Sequence, residues 1–315
     1  MFPSVQINAL NQLSGETKEI ERHALFVGVG TVNPGKLLAL TPDSDFDKVF
    51  GETDTDLKKQ VRAAMLNAGQ NWFAHVYIAQ EDGYDFVECV KKANQTASFE
   101  YCVNTRYLGV DKASIGKLQE CYAELLAKFG RRTFFIQAVQ GINHDQSDGE
   151  TWDQYVQKLT TLQQTIVADH VCLVPLLFGN EAGVLAGRLA NRAVTVADSP
   201  ARVQTGALVS LGSAEKPLDK DGNELTLAHL KSLETARYSV PMWYPDYDGY
   251  YWADGRTLDV EGGDYQVIEN VRVVDKVARK VRLLAIAKIA DRSFNSTTSS
   301  TAYHQGYFAK PMRDM

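Results

Sequence analysis

From Leu25 to Asn191 short apolar runs alternate with longer stretches whose apolar residues recur every three or four positions. This alternation constrains the fold more than any other feature of the 315-residue chain. Strands are read at Leu25–Val29, Leu37–Leu40, Trp72–Ile78, Tyr101–Val103, Thr133–Val139 and Val171–Leu177. Helices are read at Asp56–Asn67 (with Gly69 as C-cap), Glu81–Ala97, Ser114–Phe129, Thr151–Val167 and Glu181–Asn191. Strands joined through helices build a parallel sheet covered on its faces. The expected fold class is therefore α/β, a helix-covered mixed, mainly parallel sheet, with an α+β C-terminal domain and an extended N-terminal arm.

Composition narrows the function. A chain that is 44% hydrophobic and 23% charged can bury a full core, and its net charge of −6 argues against a nucleic-acid coat or a membrane-surface binder. No apolar run approaches the ~20 residues that span a bilayer, and the N-terminus lacks the basic start and apolar middle of a signal peptide. The protein is expected in the cytosol when made. Cys89, Cys102, Cys121 and Cys172 form no Cys-x-x-Cys pair and read as buried, reduced thiols.

Chemistry-bearing patterns are few. Gly30-Thr-Val-Asn-Pro-Gly35-Lys36 fits the first seven positions of a phosphate-cradling loop. Against that reading, Leu37 supplies no hydroxyl for Mg²⁺, Pro34 removes an amide, and Pro42 stops any following helix. A turn between two strands is the simpler account. The acidic run from Leu218 to Leu225 resembles a calcium loop with its Gly two positions early, so an Asp-Gly hairpin tip is expected. The histidines stand in no catalytic setting, the acidic pairs Asp43/Asp45, Asp54/Asp56 and Asp246/Asp248 suit turns and caps, and no metal or cofactor is implied.

After a more irregular stretch, 195–235, that ends in a helix Thr226–Thr235, the segment Ala236–Asp291 opens with Trp243, Tyr244, Tyr247, Tyr250, Tyr251 and Trp252, too dense a set of aromatics for a solvated loop. A long amphipathic helix follows, with Val267, Ile268, Val271, Val274, Val277, Val281, Leu284 and Ile289 on the expected buried face. Its basic face (Arg272, Lys276, Arg279, Lys280, Arg282, Lys288) is read as solvated, or as paired with acidic groups of a neighbouring subunit. Beyond Asp291 the Ser- and Thr-rich run to Thr301 is read as a loop or mobile segment.

Trp252, Arg256, Thr257 and Leu258, then Tyr265 and Arg272, resemble in order the start of the C-terminal domain of contractile bacteriophage tail sheath proteins. One extra residue separates Trp252 from Arg256, and Val273 stands where a second Arg is usual. Asp45, Phe46, Phe50 and Gly51 resemble an element of the same family, whose middle carries an α/β domain likened to a subtilisin core. The resemblance implies a structural subunit, not an enzyme, that polymerises helically with copies of itself around a tail tube protein. It also implies contraction that drives the tube into the host envelope, contacts with baseplate and tail terminator proteins, and a place in the virion tail after assembly in the host cytoplasm. Nucleic acid and membrane are not expected partners.

Residues 1–22 alternate apolar and polar at Val5, Ile7 and Leu10 and read as an arm that, by the resemblance, adds a strand to a neighbour's sheet; a frayed terminus or a strand of its own sheet would also fit. The expected division is an arm, 1–22, an α/β sheath domain, 23–235, and a sheath C-terminal domain, 236–315. Sheath C-terminal domains continue to a closing strand with no evident counterpart before Met315, so this one reads as shortened or as departing from the family there. The alternative function is a nucleotide-binding α/β enzyme using Gly30 to Lys36, and a small-molecule enzyme with an unrecognised site stays open.

Overall fold

Every residue of β1 (Ala24–Val29, ALFVGV) is apolar or glycine, so neither face of the strand suits solvent and β1 lies inside the sheet. In the computed structural model, which describes residues 20–213 and 215–314, β1 is flanked by two parallel strands. They are β3 (Ala74–Ala79) on one side and β4 (Tyr101–Asn104) on the other. The sheet runs β2-β3-β1-β4-β5-β6, with β2 (Leu37–Leu40), β5 (Phe134–Val139) and β6 (Val171–Pro175). Only β2 is antiparallel to its neighbour. The expected mixed, mainly parallel α/β sheet is thus present.

Successive strand residues serve opposite faces. Leu25 and Val27 join the core under α3 (Phe86–Thr96), α4 (Lys112–Phe129), α5 (Trp152–Gln163) and α7 (Leu227–Thr235). Ala24 and Phe26 join the core under α2 (Asp56–Ala68) and α6 (Glu181–Ala190), near the short α1 (Phe46–Phe50). Helix starts follow local chemistry: Thr55 caps α2, Asp111 and Ser114 form a capping box on α4, and Thr151 and Gln154 form one on α5. Helix α3 begins later than the expected Glu81 because Gly83 takes a positive φ and Asp85 is the cap. Helix α5 stops short of Val167 because Thr165 has φ 71°.

All ten residues of α6 are buried. It meets α2 through Gly183 and Gly187, where an added Cβ would lie 2.0 Å from the Gln60 carbonyl oxygen and 2.3 Å from that of Ala64. Glycine lets the two backbones touch, and Gln60 Oε1 accepts the Gly183 N–H at 2.6 Å across the contact.

The β6 edge is covered by the C-terminal part of the chain. Tyr238 bridges Leu173 in parallel, Leu258 bridges Ala168 antiparallel, and Leu258 N–H donates to the Val171 carbonyl at 3.0 Å. Between these contacts runs the hairpin β7 (Pro241–Tyr244) and β8 (Tyr247–Trp252), with Asp246 at φ 60° in its turn. The basic helix is α8 (Ile268–Ile286).

Two expectations are corrected here. The apolar stripe of α8 is buried only near its start, at Ile268 and Val271, whereas Val274, Leu283 and Ile286 are exposed and Ile289 beyond it is 74% exposed. And the polar tail is not a loop throughout: Thr298–Arg313 form α9, capped by Thr297, with Phe294 and Phe308 packed about the buried His304. Ser and Thr at a helix start serve as caps, which is why composition there misleads.

Candidate functional site

The family-like residues of the C-terminal segment converge on the β6 edge and the start of α8. Trp252, Thr257, Leu258 and Arg272 are buried, and Arg256 and Tyr265 half-buried. The Asp254 carbonyl, within the lengthened Trp-to-Arg spacing, accepts from Trp252 Nε1 at 3.0 Å and from Ser239 Oγ at 2.7 Å. Ser239 Oγ in turn accepts the Arg256 N–H, whose guanidinium lies 3.4 Å from Glu234. Thr257 Oγ1 donates to the Tyr265 carbonyl, Asp259 accepts the Tyr265 N–H at 2.9 Å, and Ile268 N–H bonds Gly255. These bonds brace the segment between β8 and α8 against Ser239, α7 and the start of α8, and Leu258 joins it to β6. Val5, Ile7 and Leu10 lie outside the described residues.

Helix α8 is held by ionic contacts on both of its sides that sequence reading missed. Arg272 Nε donates to Glu100 Oε1 at 2.8 Å, with both side chains 1% exposed, and its Nη2 reaches the Leu189 carbonyl at 3.1 Å. Burial pushes the Glu100 carboxyl up, but the Arg272 guanidinium and the Arg22 backbone N–H outweigh this and hold it below the usual range. One turn along, Lys276 bonds Glu21 at 2.8 Å. On the other side Asp275 lies 3.2 Å from Arg132 and 3.6 Å from His170 Nε2, while His170 Nδ1 bonds Asp169 at 2.8 Å and its ring stacks on Tyr122. Burial would lower the His170 pKa, but Asp169 and Asp275 outweigh it and raise the value. The basic face is thus spent partly within the chain, contrary to the solvated reading. The one available signal was Glu100 itself, a carboxylate just before the apolar run Tyr101–Val103, where a charge needs a partner.

The enzyme-like features have internal explanations. Gly30 N–H donates to Ala79, Gly35 N–H to Ile78 and Lys36 N–H to Asn33, so these amides are committed to backbone carbonyls, and β2 follows where a phosphate loop requires a helix. A cleft of about 620 Å³ at the carboxyl ends of β5 and β6 is lined by Lys59, Arg62, Tyr107, His144 and Asn180 among others. Beside it, buried Glu181 is pushed up to about 7 by desolvation, yet its oxygens already accept the Phe178 and Gly179 N–H groups. Asp219 accepts from Asp221, Asn223 and Trp152, so the calcium-like run is a hairpin tip docked on α5. The four cysteines are buried and free, and among the described residues no cluster of His, Cys, Asp or Glu suits a metal ion. No helix of the described residues is long and apolar enough to cross a membrane.

This architecture defines the class: the fold is that of contractile sheath subunits. It matches the contracted helical sheath of the anti-feeding prophage (AFP) with a TM-score of 0.59 at 13% identity, covering 99% of this chain and 84% of that one. A sheath tail protein from Desulfitobacterium hafniense matches with a TM-score of 0.52 at 10% identity, over 90% of this chain and 83% of that one. Residues 2–256 match the DUF2586 N-terminal domain and residues 264–315 the DUF2586 C-terminal domain, and the chain belongs to this family. Over all 315 residues it is 96% identical to a protein of Haemophilus phage HP1 (strain HP1c1) named "Putative tail sheath protein", covering 84% of that protein's length.

Proposed function

We propose that this protein is the subunit of a contractile phage tail sheath, polymerising helically around a tail tube and contracting to drive the tube into the host envelope. The observation that carries this is the 96% identity over all 315 residues to the phage HP1 protein, on a fold shared with an assembled helical sheath. In this reading residues 1–22, with Val5, Ile7 and Leu10, form an arm that lends a strand to a neighbouring copy, 23–235 form the body and 236–315 the C-terminal domain. Trp252, Arg256, Thr257, Leu258, Tyr265 and Arg272 hold that domain on the body, so that a subunit moves as a nearly rigid unit during contraction. Further partners are the tail tube, the baseplate and the tail terminator, in the virion tail after assembly in the host cytoplasm. Contacts of this kind are heterologous and extend without closing on one ring. No catalytic step is required, because a kinetically trapped extended state stores the energy.

The test is assembly. The purified full chain, followed by sedimentation and negative-stain electron microscopy, is expected to form tubes or stacked rings; a chain that stays monomeric at high concentration contradicts the proposal.

A further inference from the structure

The chain enters β1 through a turn at residues 20–23, in which Arg22 adopts φ 65° and His23 N–H donates to the Ile20 carbonyl at 3.1 Å. A side-chain-bearing residue keeps that left-handed conformation only where its surroundings enforce it. Here the enforcement comes from three directions. Glu100, at the start of β4, accepts the Arg22 N–H on Oε2 and donates its own N–H to the His23 carbonyl at 2.9 Å. The Arg22 guanidinium reaches the Val194 carbonyl at 2.6 Å. From α8, Lys276 Nζ holds Glu21, and Arg272, one turn earlier on the same face, holds the carboxylate that receives Arg22.

We propose that this clamp fixes the direction of the chain at residues 20–22 relative to α8, making Glu21 and Lys276 positioning residues for subunit linkage. The inference rests on the sheath reading above and names the device by which a linking arm would be aimed. A segment tethered through a loose root samples many directions. Fixing the root raises its effective concentration at an acceptor on the next copy without adding any contact. The Glu21–Lys276 pair suits that role better than a role in the core. Its side chains are 9% and 18% exposed, at the margin of the body, whereas Arg272 and Glu100 are sealed inside.

The experiment is a charge-reversal cycle on the full chain: E21K, K276E and the double variant E21K/K276E, each followed by thermal melting and by polymer yield in sedimentation and electron microscopy. Each single variant is expected to melt within a few degrees of the wild type while losing at least roughly tenfold in polymer yield. The double variant restores both the opposite-charge contact and the net charge and is expected to recover most of that yield. Single variants that polymerise as the wild type does, or a double variant that fails to recover, overturn the clamp. So does a single variant that loses its cooperative melt, since the pair would then be holding the fold. If the wild-type chain itself stays monomeric, the sheath reading falls and the inference with it, whereas a polymerising wild type beside unaffected variants removes the inference alone.

Discussion

Arg272 and Glu100, separated by 172 positions in sequence, are joined inside the protein by hydrogen bonds of 2.8 and 3.2 Å. Helix α8 therefore carries its charge into the body, where the pair is shielded from both water and salt. Removing one partner leaves the other buried and unpaired, so Arg272→Ala is expected to cost about 3–5 kcal/mol in urea unfolding. Arg272→Met combined with Glu100→Gln should cost clearly less than the single truncation. If the single variant unfolds at the wild-type urea midpoint, the pair does not hold α8.

The α2–α6 contact gives a sharper steric test. Gly183→Ala sets a Cβ against the Gln60 carbonyl with no flexible side chain to yield, and overpacking of this kind costs about 1–3 kcal/mol. Gly116, within α4, has nothing within 4 Å of an added Cβ. Gly116→Ala is thus expected to stabilise by about 0.8–1 kcal/mol through helix propensity alone. Opposite shifts in melting temperature check the pair of predictions, and equal shifts would contradict the packing.

These contrasts show which parts of the fold were legible beforehand. Helices and strands announced themselves because their signals are local: Thr55 and Thr151 stand at helix starts, and the apolar run of β1 leaves no polar face, although α4 starts at Lys112, capped by Asp111, ahead of the expected Ser114. Element ends were less legible, because positive φ at Gly83 and Thr165 is a property of the folded backbone. Helix α9 was hidden because Thr297 and its neighbours read as loop until Tyr303, His304, Tyr307 and Phe308 are seen as one set of ring contacts. The clamp on Glu100 joins residues from the start, middle and end of the chain, and no window of sequence spans them.

The Gly30–Lys36 loop makes a prediction about nucleotides. The amides of Gly30, Gly35 and Lys36 are bonded to backbone carbonyls and Lys36 Nζ lies on Asn33 at 3.1 Å, so these groups are not presented to a phosphate. ATP with Mg²⁺ is expected to leave the melting temperature of the wild type and of Lys36→Ala unchanged. A rise of several degrees in the wild type, lost in the variant, would revive the nucleotide reading.

Acid should weaken the fold through two histidines near the start of β1 and on β3. His23 Nε2 and His75 Nδ1 lie 2.8 Å apart, a contact that needs a donor facing an acceptor, and Phe73 and Phe99 pack around both rings. Burial lowers His23 to about 3, with His75 adding to the effect, and burial lowers His75 to about 4. For a base depressed in the folded state, the unfolded chain binds more protons between the folded value and the ordinary 6.5. Their stabilisation is therefore complete above pH 6.5 and is lost as pH falls towards 4 and then 3. Each unmatched proton contributes a slope of up to about 1.4 kcal/mol per pH unit. Glu181 acts in the opposite sense: raised from 4.5 to about 7, it favours the folded state as pH falls through that window. Glu269 and Asp254, also raised by burial, act with Glu181, while the two histidines taken against Glu181 give a net loss between pH 6 and 5. His170, raised by Asp169 and Asp275, contributes fully below 6.5 and is lost as pH climbs through its folded value, so it shapes only the alkaline side. Urea unfolding from pH 5 to 8 should show the acid decline in the wild type and a flatter limb in His23→Phe combined with His75→Phe, where the raised carboxyls of Glu181, Glu269 and Asp254 remain. An acid limb of unchanged slope in the double variant would show that other groups set it.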